Sequence, residues 1–202
     1  MADPVLKGDL GSVRIGPGWL LTGETFDTLK CLGLTQDGIT LSVDTSTESI
    51  EWDQIDDPLE YISSRECRVT ANLGEVTKAN REEVILGGYV VYDPAFETED
   101  EATKDKEALF VMGSASGRDP LEFAKILVIH PKKNPWSDRS EDIVMEKAYP
   151  ITNLNEVWSK KDPRLMEASF KAVVHTGPTG VERSFVIGDY KKIKPLLDTP
   201  TP

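Results

Sequence analysis

The sequence has few of the side chains on which catalysis and metal binding usually depend. It contains two histidines, His130 and His175, and two cysteines, Cys31 and Cys67. A nucleophilic triad needs a histidine beside a serine or cysteine, and a structural zinc site needs closely spaced ligand pairs. We interpret both histidines as polar residues at strand ends and both cysteines as free thiols. We therefore expect no metal site, no cofactor and no enzymatic activity.

Long apolar runs and an excess of basic charge are also missing. No apolar run reaches the roughly 20 residues of a membrane span, and residues 1–10 lack the apolar segment of a signal peptide. We expect no membrane association. We also expect that the protein is synthesised in a cytoplasm. The net charge is −12, and residues 1–107 hold 23 acidic and 9 basic side chains. Such a chain does not bind nucleic acid by neutralising phosphates. The acidity serves either solubility alone or a surface that repels a polyanion or docks on a basic face.

What the sequence has is a β pattern along most of its length. Alternating or β-branched segments predict strands, and Thr47–Glu48 is a possible hairpin turn between the first two. The predicted strands cover residues 38–44, 48–52, 65–73, 89–92, 108–113, 121–130, 142–149, 168–175 and 181–187. Residues 53–64 are predicted to form a loop, and residues 97–107 a solvated loop because they contain no large apolar side chain.

One helix is predicted over residues 75–86, with Asn72 as its N-cap and Glu75 three residues later. The last residues are expected to fray. These elements predict a mainly β fold, an antiparallel β-sandwich or barrel with one flanking α-helix. We expect a single domain over residues 1–202, with an N-terminal arm, a charged loop at about 95–107 and a C-terminal tail.

One stretch is more distinctive than the rest. It comprises residues 32–33, Asp37-Gly38-Ile39-Thr40-Leu41, Trp52-Asp53-Gln54, Pro58, the segment 66–77, Asn80 and Leu86-Gly87-Gly88. This pattern resembles the major tail protein, or tail tube protein, of long-tailed bacteriophages. In that family an early glycine and an Asp-Gly turn lead into a β-hairpin. An Asp-Gln element and a strand that ends at a Leu-x-Glu helix start then follow. The resemblance covers about residues 30–92.

The resemblance implies a structural role in a virion tail. Tail tube proteins form hexameric rings, and the rings stack into a hollow tube through which double-stranded DNA passes without specific binding. The implied partners are further copies of this chain and other phage tail proteins. An acidic lining would let the DNA slide, because its phosphates would meet like charge.

In this reading, edge strands that are a liability in a monomer become contacts between subunits. The candidate contact residues are Ile39, Leu41, Val43, Ile50, Trp52, Leu59, Tyr61 and Ile62. The segment 53–64 would reach the next ring, with Trp52, Leu59, Tyr61 and Ile62 as anchors. Alternatively, these side chains pack on their own domain. The other functions that stay open are a tail terminator, a baseplate or secretion-tube subunit, a monomeric β-sandwich binding module, and an enzyme that uses carboxylates alone.

Overall fold

The computed structural model describes residues 17–52, 55–92, 108–152 and 164–198. The strands are β1 (Gly18–Gly23), β2 (Lys30–Cys31), β3 (Thr35–Trp52), β4 (Ile55–Leu73), β5 (Gly88–Val91), β6 (Leu109–Met112), β7 (Lys125–Pro131), β8 (Ile143–Pro150), β9 (Met166–Ala172), β10 (His175–Thr176), β11 (Glu182–Arg183) and β12 (Val186–Ile187). The helices are α1 (Lys78–Val84) and α2 (Tyr190–Asp198), and a 3₁₀ turn spans Pro120–Phe123. The mainly β, antiparallel class that we predict is confirmed.

Eight of the strands form one antiparallel sheet. Its order is β2-β1-β7-β8-β9-β4-β3, and β12 pairs with the first residues of β8. The sheet curls around a single core, so that side chains from β1, β4, β7, β8 and β9 meet inside it. Gly18 of β1 lies close to Ile39 of β3, which brings the two ends of the sheet near each other. The result resembles an open barrel more than two stacked layers.

The core is built from the inward positions of these strands. Its largest fully buried side chains include Leu20, Val69, Leu127, Met145 and Phe170. Alternate residues of the same strands point outward, as the period of two requires. On the outer face, Leu21, Val128 and Val144 are covered by Tyr190 of α2, whose ring stacks on Phe26 at 4.5 Å between centroids. Helix α2 is absent from the prediction, and the Thr-Pro tail that we expect to fray lies outside the described residues.

The first hairpin differs most from the prediction. Strand β3 is continuous from Thr35 to Trp52, so the predicted turn at Thr47–Glu48 is wrong. The predicted loop over residues 53–64 is also wrong, because β4 begins at Ile55 and pairs with β3 along almost its full length. Residues 53–54, which connect the strands, lie outside the described residues. Pro58 fits in β4 because no described strand pairs with the other edge of β4 at that residue.

The Asp-Gly dipeptide is a bulge inside β3 and not a turn before it. Asp37 and Gly38 have φ angles of 63° and 84°, and the register with β4 shifts between Gln36 and Ile39. Both residue types adopt positive φ at low cost, so the bulge inserts two residues without ending the strand.

The helix after β4 is shorter than predicted. Thr77, and not Asn72, is the N-cap, and its side chain accepts a hydrogen bond from the Asn80 backbone N–H at 3.1 Å. Asn72 belongs to β4, and the Glu75 carboxylate instead accepts a hydrogen bond from the Leu34 backbone N–H at 3.1 Å. Glu75 therefore joins the start of β3 to the end of β4.

Other boundaries shift by a few residues. The predicted strand over residues 121–130 begins with the 3₁₀ turn, and β7 starts only at Lys125. The predicted strands around the Gly-Pro turn are interrupted, leaving the two-residue pair β10–β11 and the separate strand β12. The predicted charged loop over residues 97–107 lies outside the described residues.

Candidate assembly interface

The outer part of the β3–β4 hairpin extends beyond the sheet. Strand β9 pairs with β4 only from Arg68 to Leu73, and β3 has no described partner other than β4. We call residues 44–64 the distal hairpin. Every side chain that the structure describes in this segment, at residues 44–50 and 59–64, is exposed. A two-stranded hairpin in water on both faces is marginally stable by itself, so it is a segment that gains from a partner.

Large apolar side chains lie on both faces of the distal hairpin. On one face Ile50 is opposite Leu59, and Glu48 is opposite Tyr61, whose hydroxyl donates a hydrogen bond to Glu48 Oε2 at 2.9 Å. On the other face Ile62 is opposite Thr47. Leu59 is 60% exposed and Ile62 57%. Exposed apolar side chains that cluster in this way are typical of an interaction surface.

A recess lies where the distal hairpin joins the body. It has a volume of about 580 Å³ and is lined by Val43, Ile62, Cys67, Val174 and Phe185, with Arg65 at its polar side. Val43 and Val174 are both nearly half exposed. The recess extends the apolar surface of the distal hairpin onto the curled sheet.

The distal hairpin is strongly acidic. Residues 44–64 contain seven acidic side chains and no lysine or arginine. At its base, Glu66 pairs with Arg68 and with Lys171, whose Nζ is 3.1 Å away. Hydrogen bonds from Arg68 and Lys171 lower the pKa of the Glu66 carboxyl. The basic side chains Arg68 and Lys171 thus lie at the base of the hairpin, and the projecting part contains acidic side chains without basic ones.

Open strand edges are the second feature of this surface. One edge of β3 and, from Ile55 to Cys67, one edge of β4 pair with no described strand. Strands β5 and β6 form a separate two-stranded sheet, and the outer edge of β6 is open as well. Unpaired edge groups are templates for strand addition from another chain.

The predicted contact residues divide into three groups. Ile39 and Leu41 are partly buried and pack against the protein's own core. Five others, Val43, Ile50, Leu59, Tyr61 and Ile62, are exposed together on or beside the distal hairpin. Trp52 is the last residue of β3, where it is opposite Ile55. The role of all eight in contacts between subunits stays a prediction.

The open edge of β6 has no counterpart among the predicted contacts. The apolar run Leu109–Met112 signals a strand, but it does not say which side of that strand is unpaired. Sheet order decides that property, and it follows from tertiary structure.

The buried histidine holds a loop in place. His130 is buried, with Nδ1 2.5 Å from Asp142 Oδ1 and Nε2 3.2 Å from the Asn134 carbonyl oxygen. Its ring stacks on Trp136 at 4.8 Å between centroids, and Arg139 binds the other oxygen of Asp142 at 3.0 Å. Both ring nitrogens face oxygen acceptors, so both donate in the protonated form. Among the described residues, the ring's hydrogen-bond partners are Asp142 and Asn134, so this arrangement can hold a loop but places no described serine or cysteine as a nucleophile beside the histidine.

Metal ligands and membrane-spanning helices are absent from the part of the chain that the structure describes. No group of three His, Cys, Asp or Glu side chains there could hold a metal ion. No helix in the described ranges is both long and apolar enough to span a bilayer. Cys67 is buried and Cys31 exposed, and both are free thiols, with pKa values raised by burial. Comparison with protein-family models gives no matching family, and comparison with curated protein sequences gives no match.

Proposed function

We propose that this chain is the structural subunit of a bacteriophage tail tube, which self-assembles into stacked hexameric rings and forms a conduit for DNA ejection. The observation that carries the proposal is the distal hairpin. It extends from the body as a two-stranded ribbon with register shifts after Ser46 and Ile50, yet it buries none of its described side chains in its own chain. A subunit that binds its neighbours through such a ribbon explains why apolar side chains are kept exposed there.

The ring and tube form of the assembly is drawn from the resemblance of residues 30–92 to tail tube proteins. Two properties of the chain support it. The curled antiparallel sheet leaves the 18-residue strand β3 at one edge, where a neighbouring subunit can continue the sheet. The net charge of −12 suits a conduit that DNA must cross without adhering.

Electron microscopy of the purified protein tests the proposal. We expect negatively stained samples over a concentration series to contain hollow tubes or stacked rings of uniform width, with light scattering that rises above a threshold concentration. A monomer at every concentration, with or without a tail-tip complex to start growth, would contradict the proposal and favour a monomeric binding module.

A pair of matched variants tests the role of the distal hairpin. Leu59→Asp places a charge on its apolar face and should abolish tubes while leaving the fold intact, since the side chain is exposed. Leu121→Asp is the control, because Leu121 is 50% exposed in the 3₁₀ turn, away from the hairpin. Equal assembly of both variants and the wild type would show that the hairpin is not an interface.

A further inference from the structure

Among the residues that the structure describes, none covers the outer edge of β6, which is unusual for a folded protein. In the β5–β6 pair, the backbone N–H of Val90 points away from β6 and donates to Glu82 Oε1 of α1 at 3.3 Å. Val90 is opposite Phe110, so the backbone N–H and C=O of Phe110 point the other way, and those of Met112 do the same. Among the described residues, none bonds to these four groups. Helix α1 therefore covers the edge of β5 and leaves that of β6 open.

The side chains at this edge are apolar. Strand β6 reads Leu-Phe-Val-Met, and Leu109 and Met112 are 67% and 62% exposed. Tyr89 and Val91 of β5 share a face with Leu109 and are nearly half exposed. Natural edge strands are usually protected by charge, proline or a covering segment. Neither β5 nor β6 contains a charged residue or a proline, so this edge has the properties of a surface that another strand covers.

We propose that the open edge of β6 is the acceptor for the distal hairpin of a second copy of this chain, which adds to it as a further β-strand. The inference rests on the proposed function, because the strand that it places on β6 comes from a second copy of this chain. The segment Leu59–Ile62 of β4 is the donor, because it combines an open edge with three exposed large side chains. Backbone hydrogen bonds supply the affinity in strand addition, and alternate side chains supply the specificity.

The positions of the two edges require that they belong to different copies. The distal hairpin leaves β4 at one end, and α1 with the β5–β6 sheet follows the other end at Leu73. The strand between Ile62 and Leu73 spans about 35 Å, at about 3.3 Å per residue. A contact between opposite ends of two copies is head-to-tail, so it continues from copy to copy as a ring or a filament instead of closing into a two-fold dimer. In a tube, such a contact serves either within a ring or between stacked rings.

The side chains of the acceptor strands do not oppose this pairing. The distal hairpin is acidic, and β5 and β6 contain no charged residue that would repel it.

A proline substitution tests the edge directly. Met112→Pro removes the outward N–H of Met112 without removing a hydrogen bond of the β5–β6 ladder, and Met112→Ala is the control that trims the side chain but keeps the N–H. We expect the threshold concentration for tubes to rise about tenfold or more in Met112→Pro, because a backbone hydrogen bond is lost at every such contact between copies. Met112→Ala should change it much less. Unchanged thermal unfolding of both variants would show that the fold is intact.

A cross-linking experiment gives an independent readout. Copies carrying Cys31→Ser and Met112→Cys are mixed with copies carrying Cys31→Ser and Tyr61→Cys, and disulfide-linked pairs between the two are quantified after oxidation. Cys67 is buried and is left in place. Disulfide-linked pairs whose amount rises together with the amount of tubes would support the contact. Two results together would overturn the β6 acceptor and leave the tube proposal standing. They are normal tube growth by Met112→Pro and no disulfide-linked pairs between the two cysteine variants. No tubes from the wild type would overturn the tube proposal itself.

Discussion

At the scale of single residues, a buried histidine–carboxylate pair holds the loop between β7 and β8. His130 and Asp142 flank this loop, and both side chains are almost completely inaccessible to solvent. Trp136 covers the histidine ring, and Arg139 covers the carboxylate. The loop is therefore held by one stacked ring, the His130–Asp142 hydrogen bond and the Arg139–Asp142 ion pair instead of a large apolar cluster.

Removing the carboxylate should expose how much this pair contributes. We expect Asp142→Ala to lower the free energy of unfolding by about 1–3 kcal/mol, because it leaves the buried His130 ring without its hydrogen-bond partner and removes the ion pair of Arg139. Urea denaturation followed by tryptophan fluorescence measures the loss. Glu122→Ala is the control, since it breaks the exposed Arg118–Glu122 pair and should have a much smaller effect. Similar losses in the two variants would contradict the structural role of the His130–Asp142 pair.

At the scale of elements, Glu146 connects three parts of the fold. Its carboxylate in β8 accepts hydrogen bonds from Arg183 of β11, at 2.8 and 3.2 Å, and from the Tyr190 hydroxyl at the start of α2. His175 of β10 lies 3.4 Å away. Burial alone would raise the pKa of Glu146, but the hydrogen bonds from Arg183 and Tyr190 outweigh it and lower the pKa. The ionised carboxylate thus anchors α2 on the sheet.

The lowered pKa sets the direction of a pH dependence. The stability that ionised Glu146 contributes is present above its ordinary pKa of 4.5 and is lost as the pH falls below that value through the folded-state pKa. We expect Glu146→Gln to destabilise the protein at about pH 7 and to differ progressively less from the wild type as the pH falls below about 4.5. Glu167→Gln, at an exposed position of β9, is the control. A Glu146→Gln defect of constant size across this range would exclude the linkage.

At the scale of the whole molecule, net charge opposes any assembly of identical copies. Each copy carries −12, and the distal hairpin concentrates seven of the acidic side chains in 21 residues. The apolar and backbone contacts that we propose must therefore overcome repulsion between subunits. At about 0.1 M, salt largely screens the part of this repulsion that acts between charges more than about 10 Å apart.

Assembly should therefore increase with ionic strength. We expect the threshold concentration for tubes to fall severalfold between about 20 mM and about 300 mM sodium chloride, because screening reduces repulsion between copies. Light scattering across the series measures it. A double variant, Glu24→Gln with Glu167→Gln, reduces the negative charge outside the hairpin and should weaken the salt dependence. Tubes that dissociate as salt rises would instead show that attraction between opposite charges dominates.

The sequence by itself determines the class of the fold and much of the material for an interface. Alternation of apolar and polar residues is a local property, so the strands β6, β8 and β9 are predicted within a few residues. The segment 44–64, which combines acidic with large apolar side chains, can also be recognised from its composition. Ile50, Leu59, Tyr61 and Ile62 are all exposed there.

Only the tertiary structure decides which strands have partners. Residues 53–64 look like a loop because their acids and Pro58 are poor strand formers, yet pairing with β3 makes most of them a strand. Ile39 and Val43 look equivalent along one strand, but the curl of the sheet half-buries the first and leaves the second exposed at the rim. Sheet order and curvature arise from contacts between distant segments, and local composition does not encode them.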